Sequence, residues 1–208
     1  MTTQKEATTR LLLVRHGQTA QSREDAFCGV TEVPLTETGR KQAQQVAERL
    51  RGQSIDALYC SPQIRARDTA EPIARALQLE IQLREALREM NFGIWENQPR
   101  AYLSEHYPRE LSHWEQGSWM TQIPEGETQQ AVITRVVPCV IELLHKHAGQ
   151  TVLLVSHKST LRLLVGHVIN MALPASRCLR LDPASITELS IADDQAQLIY
   201  HNDTSHLL

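Results

Sequence analysis

Apolar residues in this chain fall into short unbroken runs and into longer stretches that repeat at helical spacing. Leu11-Leu12-Leu13-Val14 and Thr151-Val152-Leu153-Leu154-Val155 are continuous, which suits strands covered on both faces. Asp56-Ala57-Leu58-Tyr59-Cys60 is a weaker third strand candidate bounded by turn-like residues. Ala43, Val46, Ala47 and Leu50 recur at helical spacing after Thr36, a candidate N-cap, and predict a helix. Ser61-Pro62 predicts another helix start, with serine as cap and proline at the first helical position, running to about Leu77. Pro72 falls inside that helix and predicts a kink or an earlier end. Val132 to His147, with an internal Pro138, and Thr160 to Asn170 predict two further helices. Ser185 to Ile191 and Gln197 to His201 predict a hairpin turning at Asp193-Asp194.

Strands alternating with helices predict the α/β class: a three-layer α/β/α sandwich whose central sheet is mostly parallel, with an antiparallel hairpin at its edge. The rhythm breaks between Phe92 and Thr128. That stretch holds Trp95, Trp114, Trp119, Tyr102 and Tyr107, interspersed with Pro99, Pro108 and Pro124. It reads as a lid-like insertion at about 92–128 within a single domain covering 1–208, its aromatics serving packing first and ligand contact second. The terminal stretch from Asn202 to Leu207 has two expected fates, folding back over the pocket or fraying, and fraying is the commoner.

Charge and composition narrow the partners. A formal net charge of −3, without a dense Lys/Arg block, leaves no footprint for nucleic acid. No apolar run approaches the ~20 residues that span a bilayer. The polar start, Met1 to Arg10, leads into an apolar run too brief for a signal peptide, so a cytoplasmic protein is expected. Cys28, Cys60, Cys139 and Cys178 are scattered without a CxxC pair, which predicts reduced thiols and no zinc site. His145 and His147 point to different sides of a helix and read as surface residues, not metal ligands. The expected partner is a small molecule, with no cofactor and no metal.

Each of the three strand candidates ends in a polar cluster: Arg15-His16-Gly17-Gln18-Thr19, Ser61-Pro62-Gln63-Ile64-Arg65-Ala66-Arg67 and Ser156-His157-Lys158. Ligands of open parallel sheets bind beyond the carboxyl ends of the strands, so the three clusters should converge. Two histidines and several cations around one pocket make an anion site. Arginine offers a planar fork matched to phosphate oxygens, which makes Arg15 and Arg65 the natural clamps. Arg65 also lies in a helical first turn, where free N–H groups favour an anion. A neutral imidazole can attack phosphorus, and neighbouring cations disfavour its protonated form. His157, if protonated, would donate to the same oxygens. The bland alternatives are an Arg65–Asp68 pair, and an Arg67–Glu71 pair is expected on the same helix.

Leu13-Val14-Arg15-His16-Gly17-Gln18-Thr19 resembles the signature of the histidine phosphatase superfamily. Phe27-Cys28-Gly29, Pro34-Leu35-Thr36 with Gly39 and Gln42-Ala43, Ser61-Pro62 with Arg65-Ala66 and Thr69-Ala70, Glu89 to Glu96, and Val155-Ser156-His157 extend the resemblance in family order. It implies a metal-independent phosphomonoesterase acting on a small phosphate ester, with His16 as the phosphorylated nucleophile. Arg15, Arg65 and His157 would form the phosphate pocket, and Glu89 would be the proton donor to the leaving alkoxide. Glu85 is the rival acid in the same charged run. Gln18, Ser22, Cys28, Gly29 and Lys158 are further candidate substrate contacts. A homodimer is a family-level expectation.

The chain departs from the family pattern at Ser22, usually Asn, at Glu32, usually Asp, and at Lys158, usually Gly. No departure removes a catalytic group. Phosphoglycerate mutase is the alternative activity, and a catalytically silent phospho-ligand-binding module the alternative of another class. A mutase needs cations for a second charged group, and the stretch from Glu96 to Glu127 offers few beyond Arg100 and Arg109. That favours the phosphatase.

Overall fold

The computed structural model describes residues 8–24, 26–116, 121–192 and 195–207. Strand β1 (Thr9–Arg15) is followed by a short helix α1 (Ala20–Arg23), helix α2 (Glu37–Leu50), strand β2 (Ala57–Cys60), helix α3 (Ile64–Leu77) and strand β3 (Ile81–Leu83). Helices α4 (Arg100–His106), α5 (Pro108–Glu115) and α6 (Gln129–Lys146) then lead to strand β4 (Thr151–Ser156) and helix α7 (Lys158–Val168). Strands β5 (Ile186–Ala192) and β6 (Gln195–Asp203) close the order. The six strands form one sheet in the order β3-β2-β4-β1-β5-β6. Neighbours among β1 to β4 run parallel, while β5 is antiparallel to β1 and β6 to β5. This is the expected sandwich with a hairpin at its edge; the Asp193-Asp194 turn lies outside the described residues, as does Trp119.

Alternation along the strands sorts side chains to two faces. Leu12 and Val14 of β1 pack with Val46 and Leu50 of α2 and with Ala66, Ala70 and Ile73 of α3. Leu11 and Leu13 turn to the other face, against Val136, Val140 and Leu143 of α6 and Leu161 and Leu164 of α7. Because both faces are covered, the strands read as unbroken apolar runs. Pro72 does not end α3, which runs through it to Leu77, and α6 likewise runs through Pro138. Burial of one helix face outweighs the ~3 kcal/mol that an interior proline costs.

The predicted start of α3 is corrected. Gln63 holds the N-cap position and Ile64 begins the helix. Ser61 does not cap it in the expected way, because its hydroxyl lies 2.7 Å from His157 Nε2 as well as 3.3 Å from the Gln63 amide. Thr36 does cap α2, accepting from the Gly39 amide at 3.0 Å. The expected Arg67–Glu71 pair is replaced by Arg75–Glu71. His145 is exposed as expected, but His147 is half-buried and meets the Tyr59 hydroxyl at 2.9 Å.

The segment 92–116 builds a small core of its own with residues outside it. Phe27, Phe92, Trp95 and Trp114 meet edge to face at centroid distances of 5.1 to 6.1 Å. The stretch from Asn202 to Leu207 neither frays nor covers the pocket. Leu207 packs against the core between the sheet, α2 and α3, and His206 Nε2 lies 3.0 Å from the Ala184 carbonyl. Asn202 bonds Asp182 twice, so the tail braces the loop preceding β5.

The loop after β1 lies directly on the start of α2. A Cβ on Gly17 would stand 2.5 Å from the Gly39 carbonyl oxygen, and one on Gly39 would run into the carbonyl of Gln18. Gly39→Ala is therefore expected to cost about 1–3 kcal/mol of unfolding free energy through backbone displacement. It should also lower kcat/KM by moving the loop that carries His16. Denaturant unfolding with parallel kinetics checks this; wild-type values for both would show that the contact is not needed.

Candidate active site

Strand register brings the three polar clusters level. Arg15 pairs with Ser156, while Val14 and Cys60 both pair with Val155. The ladder then continues past the strands: His16 N donates to Ser156 O at 3.0 Å, and Ser61 N to Val155 O at 3.0 Å. His16, Ser61 and His157 therefore leave three adjacent strands at the same height. The His16 and His157 rings stand 5.1 Å apart, centroid to centroid.

Four charged or titratable groups are buried together there. Arg65 and His157 are fully buried, Arg15 and His16 nearly so. Arg15 donates to the Leu181 carbonyl at 2.6 Å. Arg65 donates to the carbonyls of Gly29 at 2.7 Å and Thr31 at 3.0 Å. It does not pair with Asp68, and neither guanidinium has a carboxylate partner among the described residues. Arg15 Nε, Arg65 Nε and His157 Nδ1 are buried without any hydrogen-bond partner. Buried donors left unpaired are costly, so the two guanidinium Nε–H groups, together with an unpartnered ring nitrogen of His157, mark where an acceptor-rich ligand belongs.

Electrostatics fixes the protonation of both rings. Burial, then Arg65, then Arg15, holds the His16 imidazole well below its usual pKa. Burial and Arg65 do the same for His157, which favours its neutral form in the ligand-free site. Burial also pushes the Arg15 guanidinium down to about 10. His16 Nδ1 lies 2.8 Å from the Gly17 carbonyl, which accepts only, so Nδ1 carries the proton and Nε2 the lone pair.

Glu89 is separated from its rival. Glu85 pairs with Arg88 and is three-quarters exposed, whereas Glu89 is buried and lines the cleft. The Glu89 carboxylate accepts from Met90 N, Ser159 N and Thr160 N at 2.9 to 3.1 Å. It thus caps the start of α7. Likewise Glu32 accepts from Ile64 N at 2.8 Å and caps α3. A carboxylate therefore occupies amides at the start of each of these two helices, Ile64 N in α3 and Ser159 N and Thr160 N in α7.

The remaining candidates divide. Ser22, Cys28 and Lys158 line the cleft; Gln18 and Gly29 do not. The Gln18 side chain accepts from Thr36 at 2.9 Å, and the Gly29 carbonyl accepts from Arg65 and Gln63. The Ser22 hydroxyl closes a capping box with Thr19. Burial raises the Cys28 thiol to about 11.

Several residues of the site carried no local sequence signal. Gln63 bridges two loops, donating to Gly29 O at 2.9 Å and accepting from Glu89 N at 2.8 Å. Arg135 donates to the carbonyls of Ala86, Arg88 and Glu89 while paired with Glu127, which fixes the chain just before the carboxylate. Arg162, Arg177 and Arg180 enter the same cleft, of about 470 Å³, from α7 and the segment after it. The cations sought between Glu96 and Glu127 come mainly from there.

The profile of the histidine phosphatase superfamily (branch 1) matches residues 11–204. The adenosylcobalamin/alpha-ribazole phosphatase of Escherichia coli (strain K12) is 34% identical over 190 residues, covering 91% of this chain and 93% of that protein. A probable phosphoglycerate mutase, GpmB, of Salmonella choleraesuis is 34% identical over 186 residues, covering 89% and 86%. Among solved structures, Bacillus stearothermophilus YhfR superposes with a TM-score of 0.90 at 28% identity, covering 96% of this chain and all of that one. No helix among the described residues is long and apolar enough to cross a membrane. With its site at the ends of β1, β2 and β4 and a profile match running from the first strand to the last, this chain belongs to branch 1 of the histidine phosphatase superfamily.

Proposed function

We propose that this phosphoric monoester hydrolase cleaves a small organic phosphate ester through a phosphohistidine on His16, without a metal. The observation that carries the reading is a buried imidazole whose Nδ1 faces the Gly17 carbonyl, beside three buried nitrogens without hydrogen-bond partners. The phosphoryl oxygens would take up Arg15 Nε, Arg65 Nε and, in its Nδ1–H tautomer, His157, with Nε2 of that ring accepting from Ser61. His16 Nε2 then bonds to phosphorus as the ester oxygen leaves with the P–O electron pair. Glu89 is the buried acid lining the cleft, and in its protonated form it would give its proton to the departing alkoxide. Water attacks the phosphohistidine, Glu89 takes its proton, and phosphate and free imidazole are regenerated.

A second reading, phosphoglycerate mutase, is favoured by Arg162 and Arg177, which supply cations for another acidic group. It is also consistent with the Salmonella relative. Incubation with 2,3-bisphosphoglycerate and 3-phosphoglycerate separates the two: net release of inorganic phosphate supports hydrolysis, and isomer exchange without it supports the mutase. A silent binding module would release nothing from any ester.

His16→Ala should abolish turnover of p-nitrophenyl phosphate, and wild-type turnover should persist in excess EDTA. Activity in the variant, or its loss to the chelator alone, would exclude this mechanism. Glu89→Gln should lower kcat/KM, which reads only the steps up to phosphohistidine formation, on an alkyl phosphate by roughly 10²- to 10⁴-fold. The loss should be smaller on p-nitrophenyl phosphate, whose leaving group needs little protonation; equal losses would remove Glu89 from the acid role.

Both buried imidazoles have lowered folded-state pKa values, so the unfolded chain binds the extra protons below about pH 6.5. Stability is therefore full above that pH and falls as pH drops through it, by up to about 1.4 kcal/mol per pH unit per ring. Equilibrium unfolding between about pH 7 and pH 5 should give a shallower acid slope for His157→Gln than for wild type. Equal slopes would mean that His157 protonates normally in the fold.

A further inference from the structure

The two buried guanidiniums of the pocket are held in the same way, each through one peptide group that a more distant side chain holds at its other end. Arg65 Nη2 donates to Gly29 O at 2.7 Å, and the N–H of that same peptide, Val30 N, donates to Glu96 Oε1 at 2.7 Å. Arg15 Nη1 donates to Leu181 O at 2.6 Å, and the N–H of that peptide, Asp182 N, donates to Asn202 Oδ1 at 2.6 Å. A trans peptide is planar, with its N–H and C=O pointing in opposite directions. Fixing the N–H therefore fixes where the carbonyl aims, and with it the guanidinium that the carbonyl holds.

Glu96 follows the 3-10 turn Gly93–Trp95 and spends both carboxylate oxygens on neutral donors. Oε1 also accepts from Phe92 N at 3.2 Å, and Oε2 accepts from Thr31 N at 2.8 Å and from the Thr31 hydroxyl. The loop is closed tightly on it: a Cβ on Gly29 would stand 2.1 Å from Glu96 Oε1. A carboxylate on the N–H side polarises the peptide and makes its carbonyl a stronger acceptor for Arg65. Asn202 is fixed in its turn. Its Nδ2 donates to Asp182 Oδ2 at 3.0 Å and its own amide to Thr187 Oγ1 at 3.2 Å. Its φ of 55° is left-handed, a conformation that asparagine tolerates. Neither Glu96 nor Asn202 lines the cleft, so a ligand there meets them only through the arginines.

We propose that Glu96 and Asn202 are positioning residues for phosphoryl binding, Glu96 setting Arg65 and Asn202 setting Arg15, each through a single peptide group. The inference takes from the proposed function only that the two guanidiniums hold the phosphoryl oxygens. It gives the two arms of the clamp separate supports, the start of the aromatic segment for one and the C-terminal tail for the other. Misplacing a positioning contact by about 1 Å costs roughly 10²-fold in rate, so supports outside the cleft can govern turnover.

Glu96→Gln keeps the shape but turns an NH2 group towards one of the loop amides. Asn202→Gly removes the carboxamide while accepting the left-handed backbone. Measured on p-nitrophenyl phosphate, kcat/KM should fall about 10- to 100-fold in the first and about two- to tenfold in the second. Double-mutant cycles with Arg65→Lys and Arg15→Lys assign the pairing. Glu96→Gln should cost much less beside Arg65→Lys but its full factor beside Arg15→Lys, and Asn202→Gly the reverse. A general loosening of the fold would cost the same factor in every background. Nitrogen-15 NMR of the arginine side chains needs no turnover. The Arg65 Nε–H resonance should move in Glu96→Gln while that of Arg15 stays, with the opposite pattern in Asn202→Gly. Losses that multiply equally in all backgrounds, or resonances that keep their wild-type positions, overturn the proposal. Failure of the wild-type protein to hydrolyse any ester would instead count against the proposed function, and the resonances would still decide the pairing.

Discussion

Arg15 and Arg65 are positive charges withdrawn from water beside two imidazoles, with no carboxylate bonded to either. Main-chain carbonyls of Leu181, Gly29 and Thr31 hold them in place, and carbonyl dipoles orient a guanidinium without cancelling its charge. The surrounding loops are arranged to supply those carbonyls. Glu96 gathers the amides of Val30 and Thr31, Gln63 reaches Gly29 from behind, and the C-terminal tail braces Asp182 next to Leu181. Burial first, and then the charge of Arg65 and Arg15, favours the neutral form of both imidazoles, and the same charge favours a dianion beside the three buried nitrogens that have no partner.

Glu89 and Glu32 show how that charge is kept for the ligand. Each carboxylate bonds amides at a helix start, α7 and α3 respectively, and so neither neutralises an arginine directly. Glu89 is thereby fixed at the cleft wall by backbone donors, with Arg135 holding the preceding carbonyls. The site separates into a rigid inner pocket, made by the ends of β1, β2 and β4, and an outer wall. The outer wall comes from the aromatic segment and from the return of the chain after α7.

The inner pocket was legible from the sequence because parallel strands buried on both faces give unbroken apolar runs, and the residues following such runs must meet at one edge of the sheet. Arg15, His16, Arg65 and His157 were found in this way. What stayed hidden was whatever depends on distant parts of the chain. Strand β3, three residues long, has no apolar run of its own and exists through pairing with β2. Ser61 looked like a helix cap because nothing nearby reveals that His157 occupies its hydroxyl. Arg162 lies one helical turn beyond the second-histidine motif, on α7, where nothing local marks it as facing the cleft, and Arg177 reaches the cleft from the 3-10 turn after α7.

Nitrogen-15 NMR of the His16 ring tests the electrostatic premise most directly. In the ligand-free protein near pH 6, the ring is predicted to be singly protonated, with its proton on Nδ1 and a bare Nε2. A doubly protonated ring at that pH, or a proton on Nε2 alone, would contradict the account.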